Sequence, residues 1–337
     1  MTQLTRASVA DASGPAVALA GKAAAMLSDA SLERCGTGLS LAEDSRLDGS
    51  GLLVKDMKEH GVSLRDRARL SARDADLSRC GGNGVYLQDQ AAFELFEGRI
   101  SDCASGLAAD GGSSLLRGVR LSDARDLNAD MAAGRHSFDD CSFERAPRGL
   151  SVRADAQVEM KGGRFSGHDL AACVAGKSKL TASACRWTGN KTGLWVQEEG
   201  GTELTSCRFA SHAEPALRLG QSANVKLSGC LFHGDWMAVF AEDDSSLEAD
   251  RTFFRRTPTG VKLAGRSRAR LSGCRFSGCA LDGLWVAAAA SARAEKCVFA
   301  RCRVGLHSHV AAKPEWTGNV FRLNAGDDRR TFEDPAP

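Results

Sequence analysis

The chain has 337 residues, a formal net charge of +2 at pH 7 and 43% hydrophobic residues. This charge balance gives no electrostatic reason to expect nucleic-acid binding, and no apolar run reaches the roughly 18 residues of a membrane helix. Residues 1–14 lack the basic and apolar regions of a signal peptide. These features predict an intracellular protein with neither nucleic acid nor membrane as a partner.

Along the chain, residues 1–15 are expected to form an irregular cap or a partial rung, and residues 327–337 a disordered polar tail. Between them, from 16 to 326, a block of 22 or 23 residues recurs, with one double spacing after residue 106. A fixed period of about 20–50 residues predicts stacked repeats. Each block opens with glycine or alanine, at Gly38, Gly61, Gly84, Gly106, Gly149, Ala171, Gly193, Ala216, Ala238, Gly260, Gly283 and Gly305.

Within each block, apolar residues alternate with other residues. If the opening residue is place 1, places 2 and 4 are apolar, as in Val62 and Leu64, and places 10 and 12 repeat the pattern, as in Val225 and Leu227. A spacing of two predicts short strands with one buried face, whereas helical repeats need spacings of three and four. Clusters of Gly, Ser, Asp and Asn between these positions predict turns. Place 17 is a third inward position and is usually aromatic: Phe165, Trp187, Phe209, Phe232, Phe254, Phe276, Phe299 and Phe321.

This pattern resembles that of right-handed parallel β-helix proteins, the pectin-lyase-like superfamily of polysaccharide lyases, hydrolases and epimerases. Related coils occur in adaptor proteins, including F-box proteins. The resemblance covers about residues 16–326 and implies an all-β fold, a single right-handed parallel β-helix of about fourteen rungs with three short strands per rung. It implies no particular reaction, and the Gly-His-Gly, Asp-Pro-His-Asp and Arg-x-Pro-x-x-Arg motifs of enzymes in that superfamily do not occur.

Eleven of the twelve cysteines fall in two columns, one at about place 15 and one at place 20. The first holds Cys141, Cys185, Cys207, Cys230, Cys274 and Cys297, and the second holds Cys35, Cys80, Cys103, Cys279 and Cys302. Such stacked positions predict buried ladders of thiols rather than disulfides, which favours a reducing compartment. Two thiols of one extended rung lie roughly 16 Å apart, too far to share a zinc ion. We therefore expect no metal and no cofactor.

One outward position is unusual in the second half of the chain. Place 3 of six successive blocks carries rings and cationic or titratable groups: Trp195, Arg218, Phe240, Lys262, Trp285 and His307. Aromatic faces suit sugar rings, and charged groups suit hydroxyls or carboxylates. The leading hypothesis is therefore a non-catalytic scaffold that binds an extended polysaccharide or peptide along these six residues. Two alternatives are that the rings only stabilise the sheet, or that a terminal segment or partner covers them.

Two other functions stay open. In a divergent polysaccharide lyase or epimerase, Lys262, Arg218 or His307 would serve as the base while Glu242, Asp243 and Asp244 would bind a calcium bridge. Calcium is expected only in that case. A hydrolase, the less favoured enzyme, would need two carboxylates from adjacent rungs. In an adaptor or assembly module, the N-terminal rung would contact another domain or subunit end-on. The histidines at turns, among them His136, His168 and His212, are expected to be solvated.

Overall fold

A computed structural model describes residues 2–312 and 314–333. These residues form a parallel β-solenoid of about 15 turns and contain no helix, which confirms the predicted right-handed β-helix. In consequence, no helix in the described part of the chain could span a membrane. The chain divides into two compact units, residues 1–168 and residues 169–337.

Unit 1, residues 1–168, is built from strands β1 to β20. Their bounds are β1 Thr2–Thr5, β2 Ser8–Ala10, β3 Pro15–Leu19, β4 Ala24–Ser28, β5 Ser31–Glu33, β6 Thr37–Leu41, β7 Arg46–Ser50, β8 Leu53–Lys55, β9 Val62–Leu64, β10 Arg69–Ser78, β11 Val85–Leu87, β12 Ala92–Ser101, β13 Ser105–Ala109, β14 Ser113–Ser122, β15 Leu127–Met131, β16 Arg135–Asp139, β17 Ser142–Glu144, β18 Arg148–Val152, β19 Gln157–Lys161 and β20 Arg164–Ser166. Most turns have the predicted three strands, but β10, β12 and β14 each join two of them into one strand of ten residues.

Unit 2, residues 169–337, is built from strands β21 to β42. Their bounds are β21 Leu170–Val174, β22 Lys179–Ser183, β23 Arg186–Thr188, β24 Thr192–Val196, β25 Gly201–Thr205, β26 Arg208–Ala210, β27 Pro215–Leu219, β28 Asn224–Ser228, β29 Leu231–His233, β30 Met237–Ala241, β31 Ser246–Asp250, β32 Phe253–Arg255, β33 Thr259–Leu263, β34 Arg268–Ser272, β35 Arg275–Ser277, β36 Asp282–Val286, β37 Ser291–Glu295, β38 Val298–Ala300, β39 Val304–His309, β40 Glu315–Thr317, β41 Val320–Arg322 and β42 Arg329–Phe332.

The two units share one pattern of pairing, in which each strand pairs in parallel with its counterpart one turn later. In unit 2, the opening strand of each turn belongs to a first sheet (β21, β24, β27, β30, β33, β36, β39 and β42), and the other strands belong to a second sheet. Equivalent places lie side by side, as in the pairs Leu194–Leu217 and Val239–Val261. Because the register is kept from turn to turn, every column of residues has a fixed environment.

The core of unit 2 is a column of stacked rings at place 17. Ring centroids of successive members are 4.6–5.4 Å apart, and the rings lie within about 15° of parallel. This spacing is close to the distance of about 4.8 Å between paired strands. The pairing of the strands therefore places the rings at stacking distance. The column comprises Trp187, Phe209, Phe232, Phe254, Phe276, Phe299 and Phe321.

The small opening residues of the blocks have a steric reason. A Cβ atom added at Gly283 would lie 2.6 Å from the carbonyl oxygen of Gly305 and 2.7 Å from the ring of Phe299. The chain therefore passes close both to the next turn and to the aromatic column at place 1. Glycine is required at Gly283 because even a Cβ atom would overlap the backbone of the next turn.

The cysteines form the predicted buried columns. All twelve are thiols, and all except the half-buried Cys173 are buried. Several Sγ atoms donate weak hydrogen bonds to backbone carbonyls, for example that of Cys141 to Asp139 at 3.4 Å. Burial raises the pKa of Cys141 to about 12. These thiols act as small core residues.

The two ends of the described chain are more regular than the sequence suggested. Strands β1 and β2 pair with β4 and β5, so residues 2–10 belong to a partial rung. The prediction of disorder from residue 327 is wrong for β42, which pairs with β39. Without β42 the edge of β39 would be a template for one more strand, and β42 accounts for the turn beyond the predicted fourteen. Residues 334–337 lie outside the described residues.

Candidate functional site

The six predicted place-3 residues form one column on the first sheet of unit 2, which we call the aromatic–cation stripe (Trp195, Arg218, Phe240, Lys262, Trp285 and His307). Each is the register partner of the next, and each is half-buried. The side chains point outward because places 2 and 4 on either side point into the core. The structure thus brings together all six residues that the sequence singled out.

Rings and cations alternate along this stripe at cation–π distances. The Arg218 guanidinium lies 5.1 Å from the centre of Trp195 and 5.9 Å from that of Phe240. The Lys262 ammonium lies 5.7 Å from Phe240 and 4.7 Å from Trp285. All four distances are within the roughly 6 Å over which a cation is attracted to a ring face. The cations therefore occupy ring faces, and the outer edges of the column are left for a ligand.

The two stripe cations differ in their ionic partners. Arg218 donates from Nε and Nη2 to the carboxylate of Glu242, at 2.8 and 2.6 Å. Lys262 has no carboxylate within 4.0 Å in the described part of the chain. A strongly hydrated ammonium group without an anionic partner can bind a hydroxyl or a carboxylate of a ligand. Lys262 is the stripe residue with most capacity to do so.

The far end of the stripe is covered in part by strand β42. The ring of Phe332 stacks on Trp285 with centroids 5.2 Å apart and meets the His307 ring edge-on at 4.9 Å. His307 also contacts Asp282, with Nδ1 3.0 Å from Oδ1. The neighbouring His309, two residues farther along the strand, is buried. The open part of the stripe therefore runs from Trp195 to Lys262.

Each acidic residue proposed for catalysis has a structural partner. Glu242 pairs with Arg218, as described, and Asp244 forms a two-point ion pair with Arg266. This ion pair lowers the pKa of Asp244. Asp243 accepts a hydrogen bond of 2.8 Å from the backbone N–H of Gln221 in the preceding turn. The arrangement holds the chain in register, and each of the three carboxylates proposed for a calcium bridge already contacts a protein group.

Two grooves on the second sheet of unit 2 escaped the sequence analysis. The first has a volume of about 660 Å³ and is lined by charges of both signs, which follow one another from turn to turn as Glu203, Lys226, Glu248, Arg270 and Arg293. We call it the mixed-charge groove. Glu203 pairs with Lys179, and Arg293 pairs with Glu295.

The second groove has a volume of about 820 Å³, and its charged lining residues are all arginines. We call it the arginine groove; its lining is Leu231, Phe253, Arg255, Arg256, Arg275, Ser277, Gly278, Ala300, Arg301, Arg322 and Leu323. Its depth comes from small residues on two adjacent turns, since Ser277 is the register partner of Ala300. A comparison of aligned columns, rather than of linear sequence, is needed to see it.

Three histidines expected to be solvated are buried instead: His136, His168 and His212. Nδ1 of His212 lies 2.7 Å from Oδ1 of Asp235, and both side chains are inaccessible to solvent. His136 lies between the hydroxyl of Ser114, 2.9 Å away, and the carbonyl oxygen of Ala133, 2.8 Å away. These turns fold inward because the imidazole nitrogens satisfy polar groups of neighbouring turns.

Comparisons with known proteins agree with the fold. A family model described as the right-handed β-helix region matches residues 116–254 and 199–327, which together exceed half of the chain. The chain belongs to this family of right-handed parallel β-helix proteins. No curated protein matches its sequence significantly.

Two solved structures are similar at a low level. One is the tailspike protein gp49 of Acinetobacter baumannii bacteriophage Fri1, a capsular polysaccharide depolymerase, with 12% identity, a TM-score of 0.39, and coverage of 94% of this chain and 58% of that one. The other is the Agl-KA catalytic domain, with 8% identity, a TM-score of 0.33, and coverage of 91% and 62%. The chain thus spans about three fifths of each. Similarity of this degree says nothing about shared activity.

Proposed function

We propose that this protein is a non-catalytic binding module that holds an extended polymer, a polysaccharide rather than a peptide, along the aromatic–cation stripe of unit 2. The observation that carries the proposal is the contrast between the units. The corresponding column of unit 1 consists mostly of small residues, Ala18, Ser40, Ser63, Tyr86, Ala108, Asp130 and Ser151.

This contrast separates a binding role from a purely structural one. Unit 1 builds the same sheet with Ser40 and Ser63 in the column, so the fold does not require large side chains there. Rings and cations that the fold does not require, held in line on an outward face, indicate an interaction surface. The open run from Trp195 to Lys262 crosses four successive strands, β24, β27, β30 and β33.

The chemistry of the stripe favours a polar polymer with hydroxyl or carboxylate groups. The Phe240 ring contacts two cations and the Trp195 ring contacts one, so a ligand along the stripe meets mainly ring edges and the ammonium group of Lys262. Within the described sheet each stripe strand has a parallel neighbour on both sides. A peptide therefore cannot add itself as a further strand here, which is how extended peptides commonly bind to sheets.

The test is a calorimetric titration with neutral dextran and with polygalacturonate, while ultraviolet absorbance is followed for unsaturated products. Replacing Lys262 by methionine keeps the aliphatic stem and removes the charge, and we expect affinity to fall about fivefold or more. The matched control is Lys226→Met, which removes an exposed lysine from the second sheet of the same unit.

Equal affinity of wild type and Lys262→Met, or equal losses in the two lysine variants, would refute the stripe as the binding surface. Rising absorbance would favour a lyase instead. Failure of every polysaccharide to bind would refute the proposal and favour the adaptor role, which the exposed turn residues Trp236 and Leu281 would then serve.

A further inference from the structure

The arginine groove stands out because its cations lack anionic partners. Arg255, Arg256, Arg275, Arg301 and Arg322 are all exposed, and none has a carboxylate within 4.0 Å in the residues that the structure describes. Other arginines of unit 2 do pair with a carboxylate of a neighbouring turn, as Arg266 does with Asp244. Five guanidinium groups around one depression repel one another unless an anion is bound.

Unit 1 shows what the same position looks like when it is neutralised. The turn residue after the last strand of the second sheet has a positive φ in both units. In unit 1 this position holds arginine in some turns and aspartate in others, and each arginine forms an ion pair with the aspartate one turn before it. The ion pairs are Arg34–Asp11 at 2.8 Å, Arg79–Asp56 at 2.6 Å and Arg145–Asp123 at 2.7 Å.

In unit 2 the arginines are present and the aspartates are missing. Arg256 and Arg301 occupy the same turn position, but the preceding turns hold Gly234 and Gly278 where unit 1 has aspartate. These glycines have φ values of +69° and +67°, against +60° and +59° at Asp56 and Asp123. Aspartate is thus compatible with this backbone conformation, and its absence leaves two positive charges at the rim of the groove.

From these observations we propose that the arginine groove is a second binding site, independent of the stripe, for an anionic polysaccharide bearing carboxylate or sulfate groups. Guanidinium groups bind such oxyanions through two parallel hydrogen bonds. The arginines come from four successive strands and their turns, β32, β35, β38 and β41, so the charges follow a linear chain along the stack. The small floor of Ser277, Gly278 and Ala300 provides room for it.

The lining favours sugar rings over nucleic-acid bases. Single-stranded nucleic acids bind to rows of aromatic rings on which successive bases stack. Phe253 is the single aromatic residue among those that line this groove, and its other apolar members are Leu231, Leu323 and Ala300. Aliphatic side chains pack against the C–H faces of sugars, while the guanidinium groups bind the charged substituents.

The experiment restores the charge pattern of unit 1. The variant Gly234→Asp places a carboxylate before Arg256; Gly234 does not line the groove, and a Cβ atom added there has no neighbour within 4 Å. The matched control is Gly234→Asn, which has the same shape without the charge and tolerates a positive φ equally well. Binding is measured with polygalacturonate, dextran sulfate, neutral dextran and an oligothymidylate.

We expect wild type and the asparagine variant to bind polygalacturonate or dextran sulfate, with affinity that falls as salt is added. The aspartate variant should bind about tenfold more weakly, because the charge of Arg256 is neutralised. The better of the two charged polymers identifies the substituent. Unchanged affinity in the aspartate variant, equal binding of neutral dextran, stronger binding of oligothymidylate, or no binding at all would each overturn the proposal. Lys262→Met, measured in parallel, reports on the stripe alone.

Discussion

Adjacent phenylalanines on strand β32 give the sharpest test of the packing described above. Phe254 points into the core and is 0% exposed, with ring neighbours at 5.3 Å (Phe232) and 4.6 Å (Phe276). Phe253 points outward into the arginine groove and is 47% exposed. The same substitution at the two positions therefore separates core stacking from surface contact.

We expect Phe254→Ala to lower the free energy of unfolding by about 4–5 kcal/mol. Replacing a buried phenylalanine by alanine costs about 3–5 kcal/mol because apolar contacts are lost and a cavity is left. The upper part of this range applies because two stacked ring pairs are lost as well, each contributing about 0.5–1.5 kcal/mol. Phe253→Ala should cost about 1 kcal/mol or less, since half of its ring is already in water.

Guanidinium chloride denaturation followed by tryptophan fluorescence is the appropriate assay, because all five tryptophans of the chain lie in unit 2. In stacked repeats, stability is set by each turn and its neighbours, so the loss should appear in the transition of unit 2. A cost below about 2 kcal/mol for Phe254→Ala, or similar costs for the two variants, would refute the assignment of the aromatic column as the core.

Two further predictions concern titratable groups. Burial lowers the pKa of His136 below 6.5, so the unfolded chain binds the proton more readily; the stability this residue contributes is present above about pH 6.5 and lost as pH falls below it. The thermal midpoint should therefore drop between about pH 7.5 and 5.5 in wild type and less in His136→Gln, and parallel pH curves would contradict this. Iodoacetamide should modify Cys173 first in the native protein, because the other thiols are buried; mass spectrometry that found Cys141 modified as quickly would contradict the ladder.

Much of the fold could be predicted because the buried positions of each turn recur in the sequence with a fixed period. Apolar places 2, 4, 10 and 12 and the aromatic place 17 recur with the period, and the structure buries them as expected. Strand β42 was missed because Arg329–Phe332 is polar and charged. Its strand conformation comes from the paired edge of β39 and not from its own alternation.

The candidate site was predictable only where one column carried the signal. The aromatic–cation stripe is visible at place 3, but the ion pair of Arg218 with Glu242 is not, because it joins residues of different turns. The arginine groove depends on small residues in one turn lying beside small residues in the next. A sequence signal did exist, since Gly234 and Gly278 stand where unit 1 has aspartate, but it emerges only after the turns are aligned.

The central claim, that a polymer lies along the stripe, is tested most directly by tryptophan fluorescence during titration with polygalacturonate. Trp195 and Trp285 belong to the stripe, whereas the remaining tryptophans of unit 2 lie in other columns. The account predicts a saturable change in wild type that is lost in Trp195→Phe/Trp285→Phe. Binding that leaves the fluorescence of wild type unchanged, or that changes both proteins alike, would contradict it.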